Sequence, residues 1–277
     1  MRVGARPNDV VVASGRVWTA RAGSDRLAVL DAPGGKRTNR RPRVGATPTS
    51  ATAGFDRLWV VNQSQPALVA IGLRSGRPVG DPIALPPIGK VVAVATGERG
   101  VWVGIRGTPG QLVRISPRDG RTVKILAMPD GVQDIAVGAG AVWVLGRRAD
   151  TVTRVDSETG RLQFVNVGDD PAGAAIGEGA LWVTNSGDDT VTRIDTGSLS
   201  TRVIGVGDRP YGIAVGDGAV WVANRNASTL TRIDPATNRV VGRALEVAAN
   251  PFAVDVHDRH VWITSPPDGV VQRIDFE

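Results

Sequence analysis

The chain has 277 residues, 33 basic against 27 acidic side chains for a net charge of +6, and no cysteine. Without cysteine there is neither a disulfide framework nor thiolate chemistry, and no run of eighteen apolar residues is present to cross a membrane as a helix. No signal peptide opens the sequence, so the expected location is cytoplasmic if the chain is complete, or wherever a longer parent polypeptide carries it.

The seven tryptophans, Trp18, Trp59, Trp102, Trp143, Trp182, Trp221 and Trp262, lie 41, 43, 41, 39, 39 and 41 residues apart. A fixed period near forty marks a repeat architecture. The first unit runs from about Pro7 to Pro42, with a third strand over Arg26 to Asp31. The second spans Val44 to Gly80 and departs most from the pattern, Ala67 to Ile71 replacing the usual Thr-x-Thr-Arg-Ile-Asp strand. The third, Ile83 to Val123, has a longer loop over Ile105 to Gly110. The fourth, Leu126 to Gln163, returns to pattern, and the fifth covers Val165 to Thr201.

The sixth unit, Val203 to Leu245, shows the grammar most clearly. Tyr211 to Val215 is a short β-rich run, Gly216 to Gly218 is a tight turn, and Ala219 to Ala223 is a second run, so the three read as a hairpin. A polar loop, Asn224 to Ser228, leads to a third strand, Thr229 to Asp234. Pro235 to Asn238 is a turn, and Arg239 to Leu245 a fourth strand. Four antiparallel strands per forty residues is one propeller blade. Strands one and two are apolar on both faces, so each blade is covered by two neighbours, with the tryptophan filling the wedge between them.

The seventh unit, Val247 to Asp275, lacks a fourth strand. The opening residues Arg2 to Pro7 resemble the fourth-strand endings at Arg43 to Pro48 and Val206 to Pro210. The N-terminus is therefore expected to complete the last blade, hiding an edge that would otherwise invite aggregation, with Val3 paired near Ile274. The expected fold is all-β: one domain over residues 1–277, a seven-bladed β-propeller of four antiparallel strands per blade, with no helix of ten residues.

Charge is uneven. Residues 1–50 carry ten basic and three acidic groups, +7, which leaves −1 for the remainder. The run Lys36 to Arg43 suits an anionic surface, although only three of the 33 cationic residues are lysine, a general arginine bias that favours a solvated loop. With one tyrosine and four phenylalanines the chain offers little for base stacking, and no nucleic-acid partner is expected. The recurrent Arg154/Asp156, Arg193/Asp195, Arg232/Asp234 and Arg273/Asp275 face one side of strand three and read as charged pairs tying outer strands or turns together. His257 and His260 fall in a hairpin turn, which argues against a metal or catalytic role; no metal and no cofactor are expected. The Gly-x-Gly turns join strand to strand and have no helix to receive a pyrophosphate.

What remains is the face on which the loops from strand four to strand one and from strand two to strand three gather around the axis. Loops on a rigid scaffold commonly carry binding. The candidate ligand-binding residues there are Arg21, Arg106, Arg147, Arg148, Asn185, Arg209, Tyr211, Asn224 and Arg225, within a wider polar rim that includes Asp9 and Gln133.

The phrases Gly216–Asn224 and Thr229–Asn238 resemble the YVTN-type and NHL-like bacterial propellers and the related virginiamycin B lyase propellers, over all seven repeats. Such propellers often form the extracytoplasmic sensor part of bacterial transmembrane serine/threonine kinases. The resemblance thus implies a non-enzymatic recognition module, monomeric, without membrane insertion of its own, that binds a small molecule, glycan or protein on the loop-rich face. The lyase family implies an alternative, a metal-dependent enzyme with catalytic His and Glu and a magnesium ion. Its strand two typically ends Trp-Phe-Thr-Glu, where this chain has Trp221 to Asn224 and Trp182 to Asn185, so no catalytic residue carries over. A protein-interaction scaffold using the basic first blade is the third reading.

Overall fold

Seven small antiparallel sheets stack about a central axis in the computed structural model, which describes residues 1–276. Blade 5 shows the plan: Pro171–Gly177 innermost, then Ala180–Asn185, Thr190–Asp195 and Thr201–Gly205 at the rim, each paired antiparallel to the next. In every blade two consecutive residues with positive φ join strand one to strand two, for example Asp217 (φ 50°) and Gly218 (φ 72°). Both central residues of a type I′ turn need that conformation, and its twist matches the flanking strands. Phe55–Asp56, Glu98–Arg99 and Asp258–Arg259 adopt it without glycine, so the hairpin register overrides residue preference there.

Each tryptophan is at most 1% exposed and packs into the next blade. Trp143 meets Leu181, Val183 and Ile194, and Trp182 meets Val220, Val222 and Ile233. Trp262 of blade 7 packs with Val10, Val17 and Leu30 of blade 1, which closes the circle. Five of the indole N–H groups donate to a carbonyl five residues earlier, at the end of strand one, as Trp182 does to Gly177 (3.2 Å).

Two of the four expected Arg/Asp pairs form, and the recurrent arginines share a further role. In blades 3 to 7 the strand-three arginine lies directly across from the tryptophan and stacks its guanidinium on the indole, with Arg114, Arg154, Arg193, Arg232 and Arg273 at 5.4–6.0 Å from the ring centroid. Blades 1 and 2 have Val29 and Ala70 at that position, and the stacking cation comes from two residues before the tryptophan, Arg16 and Arg57. The strand-end aspartates instead cap the following turn. Asp156 accepts from the Thr159 N–H (2.8 Å) and hydroxyl (2.8 Å), and Asp195 accepts from Ser198 in the same way. Ion pairs between the two types occur in blades 5 and 7, Arg193–Asp195 (3.7 Å) and Arg273–Asp275 (2.9 Å).

The N-terminus completes blade 7, at a different register from the expected one. Arg2 bridges to Val270, the Val3 N–H donates to Gly269 O (2.9 Å), and Val271 donates to Met1 O (2.9 Å). Val3 therefore pairs at the start of Val270–Asp275 rather than near Ile274. Its side chain, fully buried, sits in the seam with Trp262 and Val271. Three other fourth strands are irregular, that of blade 2 being the short Ile83–Ala84 preceded by the bridge Ile71–Pro78. In blade 6 it is split into Arg239–Val240 and Leu245–Glu246, and in blade 1 it is reduced to the bridges Leu30–Arg37 and Arg26–Arg43.

Candidate functional site at the channel mouth

The seven innermost strands leave a channel, and the loop-rich end of it opens into a cavity of about 440 Å³. Residues from every blade line it, because the first two or three positions of each strand one turn toward the axis. The wall is largely polar, with Asn8, Asp9, Thr49, Ser50, Gln133 and Asp134 prominent, and Tyr211 and Phe252 close one side. Inner strands approach each other closely here: a Cβ on Gly173 or Gly212 would run into the Tyr211 or Phe252 carbonyl.

The mouth side chains form one connected arrangement. Arg106 donates from Nε to Val132 O (2.9 Å) and from Nη2 to Gln133 Oε1; the Gln133 amide donates to the Tyr211 hydroxyl (3.3 Å). The Tyr211 and Phe252 rings lie 4.4 Å apart, and the Arg225 guanidinium sits 5.6 Å from each centroid. Burial raises the Tyr211 phenol, with the Asp134 carboxylate adding to the shift. Arg106 is lowered by burial and then by the like charges of Arg147 and Arg148. A second cavity of about 550 Å³, lined by Arg106, Arg147, Arg148, Asp169 and Asp170, adjoins the first through Arg106. Arg147 is held by Asp170, Nε to Oδ1 and Nη2 to Oδ2 (2.9 Å).

Beneath the mouth, three strand-one carboxylates bridge adjacent blades. Asp9 accepts from Val10 (2.8 Å) and from Ala51 of the next blade (2.7 Å); Asp134 accepts from Ile135 (2.9 Å) and Ala174 (3.0 Å); Asp255 accepts from Val256 (2.8 Å) and Val12 (2.6 Å). Burial outweighs these donors and pushes Asp9 up to about 7 and Asp134 and Asp255 to about 6, with mutual repulsion contributing at Asp9. A carboxyl raised in the fold keeps its proton while the unfolded chain, near 3.8, has lost its own. Stability from these three is therefore fully present below about pH 4 and falls as pH rises through 6–7. The turn-capping Asp156, Asp195 and Asp234 are lowered by turn hydrogen bonds and act oppositely, losing their contribution as pH falls below the unfolded value. Urea unfolding across pH 3–9 is expected to show maximal stability at about pH 4–5 and a decline to pH 7; a curve rising from pH 5 to 8 contradicts the assignment.

Of the sequence candidates, Arg106 and Tyr211 line the channel cavity, Arg147 and Arg148 the second, and Arg225 covers the aromatic pair. Asn185 and Asn224 sit elsewhere. Both are fully buried, and each donates to two threonine hydroxyls of its own strand three, Thr190 and Thr192 or Thr229 and Thr231. Arg21 is tied to Val3 O (3.1 Å) and Arg26 O (2.9 Å) by the closing seam, and Arg209 is exposed at a position with φ 54°. Sequence reasoning missed Asp134, Asp255 and Phe252. The last had a visible signal, since Pro251-Phe252 repeats Pro210-Tyr211 one blade on. In the basic run, Arg37 and Arg40 donate to backbone carbonyls of Val3 and of Arg74 and Ser75, and Arg43 pairs with Asp25 (2.8 Å). His257 and His260 lie at the hairpin turn of blade 7, His260 against Asp275 (2.8 Å). Among the described residues no group of three or more His, Cys, Asp or Glu is placed to hold a metal ion, and no helix is long and apolar enough to cross a membrane.

Solved structures share this architecture. Virginiamycin B lyase from Staphylococcus aureus superposes with a TM-score of 0.82 at 19% identity, over 95% of this chain and 93% of the lyase. A catalytically inactive variant of that lyase with quinupristin gives 0.83 at 18%, over 97% and 95%. Kuenenia stuttgartiensis hydrazine synthase gives 0.86 at 11% identity, over 100% and 97%. The chain has the fold of these propellers. No family model and no curated protein matches it by sequence. The expectation that this domain is not an enzyme is corrected by these findings: virginiamycin B lyase is an enzyme built on the same ring over nearly its whole length. The physical reason is that stacking of blades fixes only the scaffold, while the chemistry resides in the side chains grafted on it.

Proposed function

We propose that the protein recognises a ligand at the loop-rich mouth of its channel. The observation that carries this reading is the linked set Arg106–Gln133–Tyr211–Phe252–Arg225, contributed by five segments of blades 3, 4, 6 and 7 around a cavity of about 440 Å³. That volume is within the roughly 300–1,000 Å³ of small-molecule sites, and the groups hold one another in place, which supports a largely preformed site. The resemblance of the repeat phrases to sensor propellers supports reading such recognition as the input to a larger, membrane-anchored protein displayed outside the cytoplasm.

A ligand-observed NMR screen with a mixed set of small acids, amines, saccharides and nucleotides tests the site. Compounds that bind the protein are expected to lose at least ~10-fold in affinity on Tyr211→Ala or Arg225→Ala, since removing a stacked aromatic or its cation commonly costs more than 1 kcal/mol, with the unfolding midpoint within a few degrees of the parent. Hits unaffected by both substitutions, or an absence of hits, contradict the reading.

A further inference from the structure

The mouth and its floor differ in chemistry, and the difference selects a ligand class. Arg106, Arg147, Arg148 and Arg225 gather at the rim with two carboxylates, Asp169 and Asp170, of which Asp170 pairs in bidentate fashion with Arg147. Arg106 meets only the neutral acceptors Val132 O and Gln133 Oε1. Like charges brought together at a partly buried rim repel one another, and a bound anion removes that repulsion. The inner cavity carries neutral donors and acceptors, Asn8, Thr49, Ser50 and Gln133, beside Asp9 and Asp134. These suit a ligand rich in hydroxyls, which donate and accept in equal measure. The exposed side of the Tyr211–Phe252 pair is already covered by Arg225, which leaves no open slot for a nucleobase between flat rings. Arg106 lines both cavities, so a molecule in the inner one is in reach of the cationic rim.

The geometry points to an acidic saccharide as the ligand: a sugar ring in the inner cavity, its hydroxyls on Asn8, Ser50 and Gln133, and a phosphate or carboxylate against Arg106 and Arg148. This rests on the mouth being the ligand face. Calorimetric titration with glucose 6-phosphate and glucuronate, against glucose and inorganic phosphate as the separated halves, tests it and tells the two anionic groups apart. At least one of the acids is expected to bind 10-fold or more tightly than either half. Arg148→Gln, an exposed position that leaves the core untouched, is expected to weaken that acid about 10-fold, with glucose unchanged and the unfolding midpoint unaltered. Asn8→Leu is expected to weaken the acid and glucose together. Equal affinity for glucose and the acids, no binding of any of the four probes, or acid binding indifferent to Arg148→Gln overturns the inference. If the broader screen yields mouth-dependent binding of neutral or cationic compounds while the acids fail, the mouth stands as the ligand face and the acidic saccharide falls; if no compound depends on the mouth, both fall.

Discussion

Replacing Trp182 with alanine is expected to lower the free energy of unfolding by about 3–5 kcal/mol. The indole is fully buried between blades 5 and 6, against Val220, Val222 and Ile233. Its removal opens a void in the interblade wedge that those β-branched neighbours, fixed in their own sheet, cannot collapse to fill. It also strands the Gly177 carbonyl that accepts the indole N–H (3.2 Å) and the Arg193 guanidinium that stacks 5.7 Å from the ring. Arg193→Ala alone removes the stacking and the ion pair to Asp195 and is expected to cost about 0.5–1 kcal/mol. Denaturant unfolding of the two variants separates the contributions. A loss below about 1 kcal/mol for Trp182→Ala contradicts the wedge account.

Val3→Asp is expected to destabilise by a comparable amount, about 3–5 kcal/mol, because an unpaired carboxylate is placed where the parent side chain is wholly buried beside Trp262 and Val271. The chain can escape that cost only by detaching its first residues, which frees the Val270–Val271 edge and weakens the joint between blades 7 and 1. Amide exchange distinguishes the routes to the same end: the Val271 N–H, bonded to Met1 O (2.9 Å), loses protection in the variant while the amides of Thr190–Asp195 keep theirs. Unchanged protection at Val271 together with an unchanged midpoint shows that the N-terminal strand is not a closing element.

Much of the ring was legible from the tryptophan period, since a forty-residue spacing and strands apolar on both faces admit few other packings. Side-chain partnerships were not. Arg154 and Asp156 share a face of one strand, which suggested a pair, but the residue directly across from Arg154 is Trp143, and the aromatic face wins the guanidinium. Asp156 sits where the strand ends, so the free N–H groups of the next turn claim it. Asn185 and Asn224, at the end of strand two, looked like loop residues; the alternation of the strand turns them inward to threonines of their own blade. The closing register also escaped, because the opening residues match other fourth strands in type without fixing which carbonyls they meet. The channel carboxylates were hardest to see. Asp134 and Asp255 interrupt apolar runs, and only the curvature of the ring brings each against the backbone N–H of a neighbouring blade.

Backbone chemical-shift mapping on the isotope-labelled protein, titrated with the tighter-binding of glucose 6-phosphate and glucuronate, addresses the location of the site most directly. The account predicts the largest changes at Asn8, Ser50, Arg106, Gln133 and Arg148, around one end of the channel. Changes concentrated instead at Arg40, Arg41 and Arg43, on the outer rim of blade 1, with the channel residues still, contradict it.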